Sequence, residues 1–160
     1  MPNEQELPLL QQGETVKLTF IRRIAAPDAQ VPNLILSLTA EERTRSRHLF
    51  QADTGETIAL NLPRGTVLRD GDWLEAESGK LILVRAKPEP VMTVTATALL
   101  NLLQAAYHLG NRHVALEITN AYLRLSPDPV LKDLLEHRGL IVTTETVPFQ
   151  PESGAYGHTH

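Results

Sequence analysis

Hydrophobic and polar positions alternate along most of the first half of the chain. Val16, Leu18 and Phe20 are separated by polar or basic neighbours, the period of a half-buried β-strand. Leu34, Leu36 and Leu38 repeat the pattern, and so do Ile58, Leu60 and Leu62. Arg43, Arg45 and Arg47 alternate with Thr44, Ser46 and His48, which predicts a strand with one charged face. Turn residues punctuate these runs at Asp53-Thr54-Gly55-Glu56, Pro63-Arg64-Gly65, Asp70-Gly71-Asp72 and Ser78-Gly79-Lys80, leaving Trp73–Ala76 and Leu81–Arg85 as further strands. Many short strands at this spacing predict a small sandwich or open barrel.

Ala86-Lys87-Pro88-Glu89-Pro90 reads as a linker, because two prolines in three residues suit neither a central strand nor a helix interior. Beyond it the period changes. Val91–Thr95 is a short strand. Thr97 is a candidate N-cap for a helix reaching Leu109, with Leu99, Leu103 and Ala106 on one face, Leu102 beside them, and Gly110-Asn111 as its stop. Val114–Thr119 and Ala121–Leu125 read as two strands around a tight turn. Asp128 caps a second helix that has Pro129 at its first position, Val130, Leu131, Leu134 and Leu135 on its apolar face, and Gly139 as its stop. Leu140–Val147 is a last strand, followed by an irregular tail. The order β-α-β-β-α-β is the ferredoxin-like plan. The expected fold class is α+β: an all-β N-terminal domain (1–88), a ferredoxin-like domain (89–148) and a flexible, histidine-containing tail (149–160).

Composition narrows the function. The 160 residues are 42% hydrophobic and 21% charged, enough for a buried core. The absence of cysteine removes disulfide scaffolds, zinc ribbons, iron–sulfur clusters and thiol catalysis. A net charge of −4 and only seven aromatic residues (three Phe, three Tyr, one Trp) argue against a nucleic-acid binder. No apolar run is long enough to span a membrane, and Met1–Leu7 lacks the basic and apolar regions of a secretory signal, so a cytoplasmic protein is expected.

What remains is histidine chemistry. Six imidazoles stand at positions 48, 108, 113, 137, 158 and 160. His48 among arginines reads as a solvated strand residue. His108 and His137 fall in the last turns of the two helices, where a partly charged imidazole suits the helix dipole. His113 follows the helix stop as the chain turns into the next strand, and reads equally as an ordinary surface residue or as a ligand held on a fixed backbone. His158 and His160 end the chain as Gly-His-x-His. One surface histidine and two tail histidines fall short of the four to six donors a divalent cation takes. A two-fold dimer would double each contribution and bring two His113 side chains to the axis, giving an exposed, incomplete site suited to transfer. Enzyme constellations are missing: the chain has no Gly-x-Ser-x-Gly, Walker loop or His-Glu-x-x-His. Adjacent Glu41 and Glu42 read as solvated carboxylates. Arg64-Gly65 and Asp70-Gly71-Asp72 lack the spacing of a calcium loop and read as turns.

Four segments carry a resemblance. They are Ala106-Tyr107-His108-Leu109-Gly110-Asn111-Arg112-His113, the run Leu62–Asp72, the run Ser126–Leu135, and Pro148–Glu152 with Gly154–His158. In order over about residues 15–160, the chain resembles the urease accessory protein E family, dimeric nickel metallochaperones of urease maturation. The resemblance implies an all-β partner-binding domain and a ferredoxin-like domain that binds metal and forms a homodimer. It implies that His113 binds Ni²⁺ at the dimer interface and that His158 and His160 supply further ligands; Zn²⁺ or Cu²⁺ are expected competitors, Cu²⁺ by the general affinity order. His108 matches a position outside the principal site. The short tail departs from relatives with long histidine-rich tails, which speaks against storage of many ions. The implied partners are the urease apoprotein and a GTP-hydrolysing accessory protein, with no nucleic acid and no membrane. The mechanism would be ligand exchange, with protons competing for imidazole as pH falls through about 6.5. Two other readings remain: a protein-docking module with incidental metal affinity, in which Arg43, Arg45 and Arg47 form either a docking face or a solubilised edge, and an acylphosphatase-like hydrolase. The latter needs a phosphate cradle at a helix N-terminus, whereas Asn111-Arg112 follows a helix.

Overall fold

The computed structural model describes residues 18–155, which form two compact units. The first holds the described residues up to Ser37 together with Arg45–Thr66 and Gly71–Arg85. The second takes Leu38–Thr44, Val67–Asp70 and the chain from Ala86 onward.

In the first half β1 (Leu18–Ile24), β2 (Leu34–Leu38), β3 (Arg47–Gln51), β4 (Thr57–Asn61), β5 (Trp73–Ala76) and β6 (Leu81–Ala86) form one sheet in the order β2-β6-β5-β1-β4-β3. β1 runs parallel to β4 and antiparallel to β5, with a bulge between Phe20 and Arg22. The alternation seen in the sequence is the alternation of burial: Phe20, Leu36, Ile58, Leu60, Leu74 and Ile82 are all buried. One expectation fails. Arg43, Arg45 and Arg47 do not share a strand, because Glu42–Thr44 is a 3-10 turn and β3 begins at Arg47. The cause is a capping box at Thr39 and Glu42. The Glu42 N–H donates to Thr39 Oγ1 (3.3 Å) and the Thr39 N–H donates to Glu42 Oε1 (3.0 Å). The turn sends Arg43 inward, and it is the buried charged residue among those described.

The second unit contains β7 (Glu89–Thr95), α1 (Leu99–Asn111), β8 (Glu117–Ile118), β9 (Leu123–Leu125), α2 (Pro129–His137) and β10 (Ile141–Val147). Its sheet has the order β10-β7-β9-β8 with every pair antiparallel, which is the ferredoxin-like arrangement. Pro90 lies within β7 opposite Thr146, so the expected linker ends earlier, before Glu89. The strand tolerates proline there because β9 pairs with β7 only over Met92–Val94, leaving Pro90 with a neighbour on one side. One sheet face and the helices enclose Met92, Val94, Leu102, Ala105, Leu109, Leu123, Leu125 and Leu135. The other face buries Val91 against Ala40 and Phe149. Beside it Arg124 pairs with Glu145 (3.1 Å) and Glu117 (3.5 Å) and stacks on Tyr122 at 4.3 Å. The segments drawn in from the first half are hydrogen-bonded in place: Ala40 N–H to Glu89 Oε2 (2.8 Å), Leu68 N–H to Arg43 O (2.9 Å) and Ala86 N–H to Asp70 Oδ1 (2.9 Å).

The two helices differ from expectation in which apolar residues they bury. α2 is capped by Asp128, whose Oδ1 accepts from the Val130 and Leu131 N–H groups (2.9 and 3.1 Å), but Val130 itself is exposed. α1 starts after Ala98 with no side-chain cap, so Thr97 does not serve as one. Its buried stripe is Leu102, Ala105 and Leu109, while Leu99 and Leu103 face outward. Both stripes have helical spacing, and only the position of the sheet distinguishes them.

Candidate metal centre

α1 ends in a Schellman motif. The Val114 N–H donates to Leu109 O (3.2 Å) and the His113 N–H donates to Gly110 O (3.0 Å). This places His113 at the position after the cap, with φ of +56°, in the left-handed region that glycine ordinarily fills. Histidine is among the non-glycine residues found there more often than most, at a cost of about 1–2 kcal/mol. The motif is locked by apolar packing, since Leu109 is fully buried and Val114 packs against the same core. The imidazole is therefore exposed on a backbone held at both sides. It lines an open groove of about 340 Å³ with Ala106, Gly110, Val114, Leu116, Ile118, Glu152 and Gly154.

The other histidines are scattered. His108 is half-buried in the last turn of α1, edge-on to Tyr107 with ring centroids 5.4 Å apart, and its carbonyl accepts from Arg112 Nη1 (3.2 Å). His137 is the exposed last residue of α2. His48 lies exposed on β3, its Nε2 3.4 Å from Arg45 Nη1 and its ring 4.8 Å from that of Phe50. His158 and His160 fall outside the described residues. Among the described residues no three His, Asp or Glu side chains gather as an ion-holding group. One protomer's described donors thus leave His113 as a single imidazole at the groove.

Two features bearing on this site escape the sequence pattern. The first is an uncovered apolar face on α1: Leu99, Leu100, Leu103 and Tyr107 are 60%, 62%, 57% and 66% exposed, on the helix that delivers His113. Its signal is a helix with more apolar positions than one face can bury. The second is the attachment of residues 149–152. Phe149 is fully buried, its carbonyl accepts from Arg43 Nη2, the Gln150 N–H donates to Glu117 Oε2 (2.9 Å) and the Glu152 N–H donates to Leu116 O (2.8 Å). The Thr39-x-x-Glu42 capping box is the local hint that Arg43 leaves the charged surface.

Comparison with known proteins agrees with this architecture. Residues 20–87 match the family model of the UreE urease accessory protein, N-terminal domain, and residues 89–160 match that of its C-terminal domain. Relatives named urease accessory protein UreE include one from Nostoc sp., 60% identical over 84% of this chain and 91% of its own length. Another, from Microcystis aeruginosa, is 52% identical over 89% of this chain and 94% of its own. A third, from Thermosynechococcus vestitus, is 52% identical over 89% of this chain and 99% of its own. With both domain models matched in order and relatives at this identity across most of the chain, the chain belongs to the UreE urease accessory protein family.

Proposed function

We propose that the protein is a homodimeric nickel metallochaperone that binds Ni²⁺ between two His113 side chains and delivers it to urease apoprotein during maturation. As a member of its family the chain is an accessory protein, not an enzyme. The observation that carries the reading is the placement of His113: an exposed imidazole, on a left-handed backbone, at the end of a helix whose apolar face is uncovered. A contiguous exposed apolar stripe marks an interaction surface. Pairing α1 with a second copy about a two-fold axis would cover Leu99, Leu103 and Tyr107 and bring the two His113 residues together. Two imidazoles leave a divalent ion short of its usual donors, and His158 and His160 of the tails supply the remainder. The open groove beside His113 leaves space for an acceptor's ligands during transfer.

In this reading the protein works in the cytoplasm and hands nickel to the GTP-hydrolysing accessory protein of the urease system. The division of labour is partner docking by the β domain (1–88), metal binding and dimerisation by the ferredoxin-like domain (89–148), and ligand supply by the tail (149–160). No described helix is long and apolar enough to cross a membrane. Imidazole nitrogens must be deprotonated to bind metal, so affinity falls as pH falls. Cu²⁺ binds such donors more tightly than Ni²⁺ does, and Zn²⁺ also competes, so selectivity rests on availability and partners.

The test is calorimetric titration of Ni²⁺ into the parent, His113→Ala and a chain ending at Gly157, with oligomeric state read by light scattering. One tight ion per dimer, lost in His113→Ala, is the expected result. Unchanged nickel binding in His113→Ala removes the site assignment and leaves the docking-module reading.

A further inference from the structure

The metallochaperone reading says which side chains take the ion, not how the tail finds it. Chain length alone does little. A tail joined to the domain at the end of β10 would search a wide volume, and the concentration of its imidazoles at His113 would fall roughly as the −3/2 power of tether length. The protein attaches its tail differently. After Val147 the chain does not leave the surface. Phe149 is fully buried against Ala40 and Val91. Its carbonyl accepts from the guanidinium of Arg43, which is 3% exposed and whose Nη1 also donates to Leu38 O at 2.8 Å. The next amide, Gln150 N–H, donates to Glu117 Oε2 at 2.9 Å, while Glu117 Oε1 lies 3.5 Å from Arg124 Nη1. The Glu152 N–H then donates to Leu116 O at 2.8 Å.

These bonds have a direction. Leu116 and Glu117 lie in the segment that His113 opens, so the chain after β10 is fastened onto the strand leading away from the candidate metal ligand. As a result Glu152 and Gly154 line the same groove as His113. His158 follows Gly154 by four residues, an extended reach of about 14 Å.

The burial of Arg43 needs a reason too. Placing a guanidinium in the interior is costly unless its donors are satisfied. Two carbonyls, one local and one from the start of the tail, are among its acceptors. A buried alkyl side chain would fill the volume but could not hold the Phe149 carbonyl. Glu117 is likewise shared, with one oxygen on the ion network of the sheet and the other on the tail backbone.

We propose that Arg43 and Glu117 are positioning residues that clamp the first residues of the C-terminal tail beside His113, so that the tail imidazoles are presented to a Ni²⁺ ion held there. The proposal rests on the metallochaperone reading and deepens it. Releasing the whole attachment, the Phe149 carbonyl and the Gln150 and Glu152 amides together, moves the last fixed point back from Glu152 to Val147. The tether to His158 then nearly doubles, and the effective concentration of each tail falls about 2.5-fold, compounding when both tails of a dimer engage.

The experiment is a double-mutant cycle. Ni²⁺ is titrated calorimetrically into the full chain and the chain ending at Gly157, each in the parent, Arg43→Gln and Glu117→Ala. The quantity read is the ratio of affinities, full chain over truncated. The clamp predicts a parent ratio well above one that falls in both variants, by up to about 2.5-fold where the attachment is released as a whole. A merely structural role for these residues would weaken full and truncated chains alike and leave the ratio intact, and that result overturns the proposal while the tail-ligand reading stands. A parent ratio of one overturns both. Should Arg43→Gln fail to fold, Glu117→Ala decides alone, because Arg124 keeps its pair with Glu145. Amide exchange at Gln150 and Glu152 must also accelerate in Glu117→Ala, and unchanged protection there equally refutes the clamp.

Discussion

The two helices of the ferredoxin-like domain end in the same way with different residues. α2 closes with Leu140 N–H donating to Leu135 O (3.1 Å) and Gly139 N–H donating to Glu136 O (2.9 Å), with Gly139 at φ +80°. α1 closes with the same pair of bonds one domain-half earlier, but histidine occupies the left-handed position. At Gly139 a Cβ would meet no atom within 4 Å, so the glycine answers to backbone conformation alone. At His113 the chain accepts that conformational cost with a side chain attached. A strained residue persists only where its surroundings over-determine it, and such residues concentrate at functional sites. The difference separates a helix stop built for folding from one built to hold an imidazole outward.

Four substitutions and one control test that contrast. The largest effect is expected for His113→Ala: the tight Ni²⁺ phase lost by calorimetry, with a near-parental urea midpoint, because the side chain is the proposed ligand and is exposed. Next is Gly139→Ala, which should cost about 1 kcal/mol in urea unfolding, since alanine resists the left-handed region, with nickel affinity unchanged. A nickel effect there would refute the separation of roles. The helix starts offer a matching pair. Asp128→Ala should cost about 1 kcal/mol through loss of two capping bonds, whereas its control, Thr97→Ala, should stay within about 0.5 kcal/mol. The one gain in stability is expected for His113→Gly, which should raise it by up to about 1 kcal/mol as strain relief exceeds the extra backbone entropy of glycine. A stability loss in that variant would mean the imidazole itself packs, contrary to its exposure.

The same helices show how far a linear pattern can be read. Asp128-Pro129 and Gly139 announce α2 from both ends, because capping and left-handed turns are properties of a few adjacent residues. α1 is legible as a helix but not as to its buried side. Leu99–Leu103–Ala106 and Leu102–Ala105–Leu109 are both acceptable stripes, and the sheet selects the second. Alternation misplaces Arg43 for a related reason. A two-residue period is shared by strands and by chance, while the capping box at Thr39 and Glu42 is a stronger local force than alternation. Pro90 sits in a strand because the rule against proline there concerns a missing donor, and the strand has a neighbour on only one side at that point.

Element order, the ferredoxin-like plan, the α2 cap, the lack of thiol chemistry and the candidacy of His113 are legible along the chain, since all of these depend on residue type and short-range spacing. Three further features come into view only in the folded chain. The fold put His113 in a left-handed turn, it left one face of α1 uncovered, and it fastened Phe149–Glu152 through Arg43 and Glu117 to the strand that follows His113. The last of these joins positions tens of residues apart, the uncovered face follows from where the sheet lies against α1, and the left-handed turn falls on a histidine, which does not announce it as glycine does. No local propensity encodes such a meeting; only the packing of the whole unit, with its buried polar groups required to find partners, brings it about.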